Sequence, residues 1–138
     1  MSLDSISTVE SSFHIVSWSG LMAALVAAGI ILIGIREIFQ PAVAAEQFGV
    51  RLNHPGDAHF LAIKAARDIA SGVVVLALLA LRDRTSLACA IAALTLIPIF
   101  DGLIVLRHAA WSFVPQVLVH WGTAVFMLVI VALLASGR

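Results

Sequence analysis

The chain has 138 residues, 62% of them hydrophobic and only 12% charged, with a mean hydropathy of +1.08. A soluble domain is about 45–50% apolar and about 25% charged, so the composition excludes an ordinary water-soluble globule and implies an integral membrane protein of one domain. Eight Lys plus Arg balance eight Asp plus Glu, which leaves no basic surface for nucleic acid.

The single cysteine, Cys89, excludes an internal disulfide and a Cys-based metal site; it reads as a small packing residue in an Ala-rich stretch. The first fifteen residues are Ser-rich and acidic, with no Lys or Arg. They lack the basic opening and small-residue cleavage site of a secretory signal, so the first apolar segment is expected to remain as a span.

Helix one is expected over about residues 16–39, its apolar core lying between Trp18 and Arg36 as in an anchored span. Pro41 closes it. In the connection that follows, residues 41–48 read as a short interfacial helix with Pro first and Gly49 as its stop. Asn53-His54-Pro55-Gly56-Asp57 reads as a turn, with Asp57 as N-cap of the next helix.

Helix two, about 58–81, contains a clean apolar run of only thirteen residues, Ile69 to Leu81. A span needs about twenty, so Lys64, Arg67 and Asp68 are drawn inside it. Helix three, about 85–106, takes in Asp101 for the same reason. Pro98 is expected to bend it and to free a carbonyl near Leu94. Arg107 and His108 mark its exit as headgroup contacts, and Trp111 sits at the interface. Helix four, about 112–135, tolerates Pro115 in its first turn. The expected fold is therefore an all-α, four-transmembrane-helix bundle. Flanking positives divide three against three between the two sides, so the positive-inside rule sets no orientation, although the acidic N-terminus favours a cytoplasmic polar cluster.

A rise of about 1.5 Å per residue places Lys64 about 10 Å along its helix, Asp68 about 16 Å, Asp101 about 9 Å in from Arg107, and His120 about 12 Å past Ser112. These depths fall in one layer once the helices alternate in direction. Lys64, Arg67, Asp68 and Ser71 follow the i, i+3, i+4, i+7 rule; Gln116, His120 and Thr123 form a second stripe. Gly34, Gly72, Gly102 and Gly122 occur where backbones or a ligand need to approach closely. Each charge at mid-span costs roughly 2.5–3.5 kcal/mol, so these groups must be paired, wet, or both.

Two readings follow. In one, Arg67 and Asp101 form a buried ion pair that locks two helices. In the other, the layer is a pocket for acid–base chemistry: Asp101 as general acid or base, Asp68 as its carboxylate partner or the counter-ion of Lys64, His120 as proton relay. Arg67, Lys64, Arg36, Gln116 and Trp121 would bind substrate, and Glu37 would pair with Arg36 at the surface. Two carboxylates beside a cation at low dielectric have their pKa values pushed apart, which provides an acid and a base. His54, Asp57 and His59 lack a fourth metal ligand; no metal and no organic cofactor is signalled.

The pieces Gly34-Ile35-Arg36, Phe48-Gly49-Val50, Lys64 through Arg67-Asp68, Phe100-Asp101 with Leu106-Arg107-His108, and His120-Trp121-Gly122-Thr123 together resemble a family of small four-helix membrane proteins known only as a domain of unknown function, distantly similar to DoxX-like proteins. The resemblance covers about residues 29–131 and implies a four-helix bundle with the same polar positions. Fungal members lie beside natural-product biosynthesis genes, which implies a lipophilic substrate. The expected function is a membrane-embedded enzyme that cyclises, isomerises or opens an epoxide in a hydrophobic small molecule. The alternative is a scaffold, accessory subunit or small transporter whose ion cluster is structural or carries a proton. Expected partners are that substrate, the lipid bilayer and, in view of the small helical area, a second copy in a homodimer. The expected residence is the endoplasmic reticulum membrane in a eukaryote or the inner membrane in a bacterium.

Overall fold

The computed structural model describes residues 17–49, 52–54, 56–108 and 114–137. Among the described residues six helices follow in chain order: α1 (Trp18–Phe39), α2 (Pro41–Phe48), α3 (Asp57–Ala80), α4 (Arg84–Leu94), α5 (Leu96–His108) and α6 (Val114–Ser136). Three segments are long and apolar enough to cross a membrane: α1, the continuous Arg84–Arg107 stretch of α4 and α5, and α6. Their outward faces carry large apolar side chains in the open, among them Leu25, Leu32, Leu118 and Val125. Exposed apolar bands of this extent seek lipid or a partner, and together with the helix lengths they fit a membrane protein. At 24 residues α3 is no shorter than these, but Lys64, Arg67 and Asp68 interrupt its apolar character.

Each helix end has a local cause. Ser17 caps α1 through its hydroxyl, which accepts from the Gly20 amide at 3.1 Å, satisfying one of the four amides a helix start leaves unpaired. Gln40 lies outside helical geometry and Pro41 opens α2, where a missing N–H costs nothing. Gly49 ends α2 in the left-handed region at φ 100°. A Cβ there would also lie 2.8 Å from Val105 Cγ1 on α5, so glycine is needed twice over.

The expected helices are present with ends shifted by one or two residues where they are described. The starts expected at Val16 and Ser112, the Trp111 anchor, Pro55 and the His108 side chain lie outside the described residues. One local expectation is corrected. Asp57 is not an N-cap: it is the first residue of α3, Gly56 holds the cap position, and the Asp57 carboxylate instead accepts from the Asn53 and His54 amides at 2.8 and 2.9 Å. A carboxylate in the first turn still faces the positive end of the helix dipole. Helix three shows its irregularity in the turn before Pro98, where one was expected. Thr95 interrupts it, its amide and its hydroxyl both bonding to the Ile91 carbonyl, three residues before Pro98 removes the next turn's donor.

Packing sorts the bundle into two pairs. The principal contacts are α1 on α3 and α6 on both α4 and α5; smaller contacts of α1 with α6 and α3 with α4 join the pairs. The α1–α3 contact is close because Gly34 faces the Ala65 carbonyl and Gly72 faces the Ala27 carbonyl, where an added Cβ would sit 2.7 Å from either oxygen. Gly102 admits the Trp121 indole in the same way, whereas Gly122 has nothing near it. The apolar core fills one end: Ala23, Val26 and Ala27 of α1, Val75 and Leu79 of α3, Leu87 and Ile91 of α4, and Met127, Ile130 and Leu134 of α6. Arg84 closes that end by donating from Nε to the Leu134 carbonyl.

Candidate functional site

The opposite end holds a cavity of about 310 Å³. It is walled by Arg36 and Glu37 of α1, Ala44, Gln47 and Phe48 of α2, Lys64 and Asp68 of α3, Ile97, Pro98 and Asp101 of α5, and Val119, His120 and Thr123 of α6. Helices that alternate in direction thus bring Lys64, Asp68, Asp101 and His120 to one end, as the depth estimates require. An outer groove of about 910 Å³ lies along α3, α4 and α5, and it shares Phe48, Lys64, Asp68, Leu94, Ile97 and Asp101 with the cavity. These shared residues form a common wall.

Lys64 organises the site. Its Nζ lies 2.7 Å from Glu37 Oε1 on α1 and 2.6 Å from Asp68 Oδ2 one turn along α3. The third side of the ammonium faces the Phe48 ring, 4.9 Å from its centroid, within range for a cation–π contact. Glu37 is 2% exposed and Asp68 8%. An ammonium shared by two carboxylates, with good hydrogen-bond geometry at both, offsets much of what burying each charge alone would cost.

The remaining polar groups are arranged differently. His120 Nε2 lies 3.2 Å from the Phe48 carbonyl oxygen, and the two rings meet edge to face at 4.6 Å. A carbonyl only accepts, so Nε2 carries the proton and Nδ1 holds the lone pair of the neutral ring. The Thr123 hydroxyl donates to Val119 O of its own helix. Asp101 is half-buried, faces both cavities and forms no ion pair or side-chain hydrogen bond with a described residue. Lys64 and His120 lie within electrostatic reach of it.

Several expectations change. Glu37 is not a surface partner of Arg36; adjacent residues on a helix point about 100° apart, so Arg36 is exposed while Glu37 turns inward to Lys64. The Arg67–Asp101 ion pair is not formed. Arg67 is exposed and lines only the outer groove, and both ion pairs among the described residues belong to Lys64. Trp121 does not wall the cavity but packs on Gly102, tying α6 to α5. Gln116 lies off the cavity beside Gly49, with Oε1 buried and unpartnered. Arg36 does line the cavity.

Phe48 is a wall residue to which the sequence reading gave no role, and Glu37 is one it assigned to the wrong partner. The cue for Glu37 was Gly34, three positions earlier and so on the same helix face. The cue for Phe48 was the Gly49 stop, which ends α2 directly beneath the charged layer.

This arrangement falls within residues 27–134, which match the model of a domain of unknown function, DUF4267. The chain belongs to that family. No curated protein and no solved structure matches it. Among the described residues no three His, Cys, Asp or Glu side chains converge as a metal site.

Proposed function

We propose that the protein is a four-span membrane enzyme performing acid–base chemistry on a lipophilic small molecule. The observation carrying this reading is a ligand-sized cavity with largely apolar walls, into which an unpaired carboxyl, Asp101, and a histidine with one uncommitted nitrogen, His120, both project. Small-molecule sites begin at about 300 Å³ and combine apolar walls with a few placed polar groups. In such a site Asp101 takes or gives the proton and His120 Nδ1 relays it. Asp68 is then reassigned from catalyst to counter-ion, since it is committed to Lys64.

The fourth span in this reading is α3. Two of its internal charges, Lys64 and Asp68, are paired in the cluster with Glu37, Arg67 faces the outer groove, and its 24 residues reach about 36 Å, enough for the roughly 30 Å hydrocarbon core. The outer groove, open beside the shared wall, is the lateral route by which a substrate dissolved in lipid reaches Asp101. Cyclisation and isomerisation are matching reaction types because each needs only a proton given and a proton taken, and epoxide opening matches with water as the added nucleophile, the acid protonating the epoxide oxygen and the base taking the water's proton.

One observation favours the alternative of a structural cluster for part of the site. Lys64 is fully committed and links α1 to α3, so the triad serves as a lock whatever Asp101 does. The two readings separate on Asp101→Asn. Lipid extracts from cells making the wild type or this variant at equal folded amounts are compared by mass spectrometry for isomers or hydrated products. The enzyme reading requires species that appear with the wild type and disappear with the variant; identical extracts leave only the structural reading.

A further inference from the structure

We infer that the cavity selects a lipophilic molecule carrying a positive charge, an ammonium ion on an apolar body, and that Glu37 reads that charge. This names the ligand chemistry of the site proposed above and rests on the same cavity. The buried walls have spent their donors. Lys64 uses its ammonium on Glu37 Oε1, Asp68 Oδ2 and the Phe48 ring. His120 Nε2 is given to the Phe48 carbonyl and the Thr123 hydroxyl to Val119 O.

Acceptors remain. Glu37, 98% buried on the complement of its 2% exposure, has Oε2 buried with no hydrogen-bond partner although the residue lines the cavity. The Asp101 carboxyl, also in the wall, is uncommitted. Buried polar atoms are nearly always satisfied, so Glu37 Oε2 marks a place where a donor belongs. Three carboxyl groups also line the cavity beside one half-buried ammonium; Arg36 and Gln47, the other donors in the wall, are both exposed. A carboxylate or phosphate headgroup would meet three carboxyl groups and find uncommitted donors only in the exposed Arg36 and Gln47. An ammonium brings both the missing donors and the missing charge.

The test uses the full chain in nanodiscs of zwitterionic lipid and three probes with one compact body: adamantane amine, adamantanol and adamantane carboxylate. Binding is measured by calorimetry against empty nanodiscs, and a diazirine form of the amine maps the contact by crosslinking. The amine is expected to bind at least about tenfold more tightly than the carboxylate, as a charge-assisted bond in a buried site implies, with the alcohol between them. Crosslinks should fall on α1, α3 and α6. Glu37→Gln, checked for helicity and monodispersity, should bring the amine to the level of the alcohol. The wild-type ranking needs no variant, so it stands even if Glu37→Gln misfolds.

Equal binding of amine and alcohol, or a preference for the carboxylate, overturns the charge selection and leaves the acid–base reading intact. Failure of all three probes to bind, or crosslinks confined to the lipid-facing surfaces, overturns the inference and the ligand cavity together.

Discussion

The two ends of the bundle solve the same packing problem with different materials. At one end α1, α3, α4 and α6 meet through Ala23, Ala27, Val75, Leu87, Ile91 and Ile130, each 0% exposed. At the other, α1 and α3 meet through an ammonium between two carboxylates, and α5 and α6 stand off behind a cavity. Lipid tails are as apolar as leucine, so close van der Waals packing, not the hydrophobic effect, holds helices together in a bilayer. The apolar end uses that packing fully. The polar end gives up part of it for a space large enough to hold a molecule, and replaces it with ionic bonds that low dielectric makes strong. What this teaches is that the charges fall into two sets: the triad joins α1 to α3 at the open end, and Asp101 and His120, outside the triad, keep uncommitted atoms at the cavity wall.

The sharpest way to break this comparison is Lys64→Met. It removes the cation and leaves the Glu37 and Asp68 carboxyls buried near each other, a loss expected to cost about 3–5 kcal/mol. Thermal unfolding in detergent should show the largest drop of any single substitution. The triple change Lys64→Met, Glu37→Gln, Asp68→Asn should recover much of it, because a neutral set of similar volume has no unpaired charge. A single variant as stable as the wild type would mean that the triad does not hold the helices.

The apolar end should respond by volume alone. Ile130→Ala is expected to cost about 2–4 kcal/mol through the void it leaves, and ligand binding at the far cavity should keep its affinity in the protein that remains folded. Gly72→Val brings a smaller penalty of about 1–3 kcal/mol by driving a side chain into the Ala27 carbonyl and Ile31. Gly122→Ala has open space around it and should instead gain up to about 1 kcal/mol of helix stability. If Gly72→Val and Gly122→Ala shifted the unfolding temperature alike, the close α1–α3 approach would not be setting the packing.

Much of this division was legible in the amino-acid order. The thirteen-residue apolar run after Asp68 is short of the length of a span, and on that ground Lys64, Arg67 and Asp68 were expected in the layer of Asp101 and His120, where Lys64 and Asp68 do line one cavity with them. Facing was harder to read than depth. A one-residue step turns a side chain by about 100°, which separates buried Glu37 from exposed Arg36, and equally Asp68 from Arg67 and His120 from Trp121. The i, i+3, i+4 stripe on α3 is wide enough to hold Arg67 at its edge, so periodicity alone did not show that this guanidinium faces the outer groove. The interruption at Thr95 lies in the turn before Pro98, where the missing N–H was expected to act.

The smallest expected effect lies at the apolar end, outside the spans, and it tests whether that end carries any electrostatic contribution. Asp83 caps α4, its carboxylate accepting from the Ser86 amide at 2.9 Å, and bonds from the Ser86 side chain and backbone hold its carboxyl below the ordinary aspartate value. A carboxyl with a depressed folded pKa adds stability above its unfolded pKa and loses it as pH falls through the folded one. Asp83→Asn keeps an acceptor oxygen at the cap and removes only the charge. The unfolding temperature of the wild type should therefore exceed that of Asp83→Asn by a small constant amount above about pH 5. The gap should close as acid protonates Asp83 below its ordinary range. A gap unchanged at low pH would assign the cap's contribution to shape alone, and no gap at neutral pH would leave the apolar end held by packing without any help from charge.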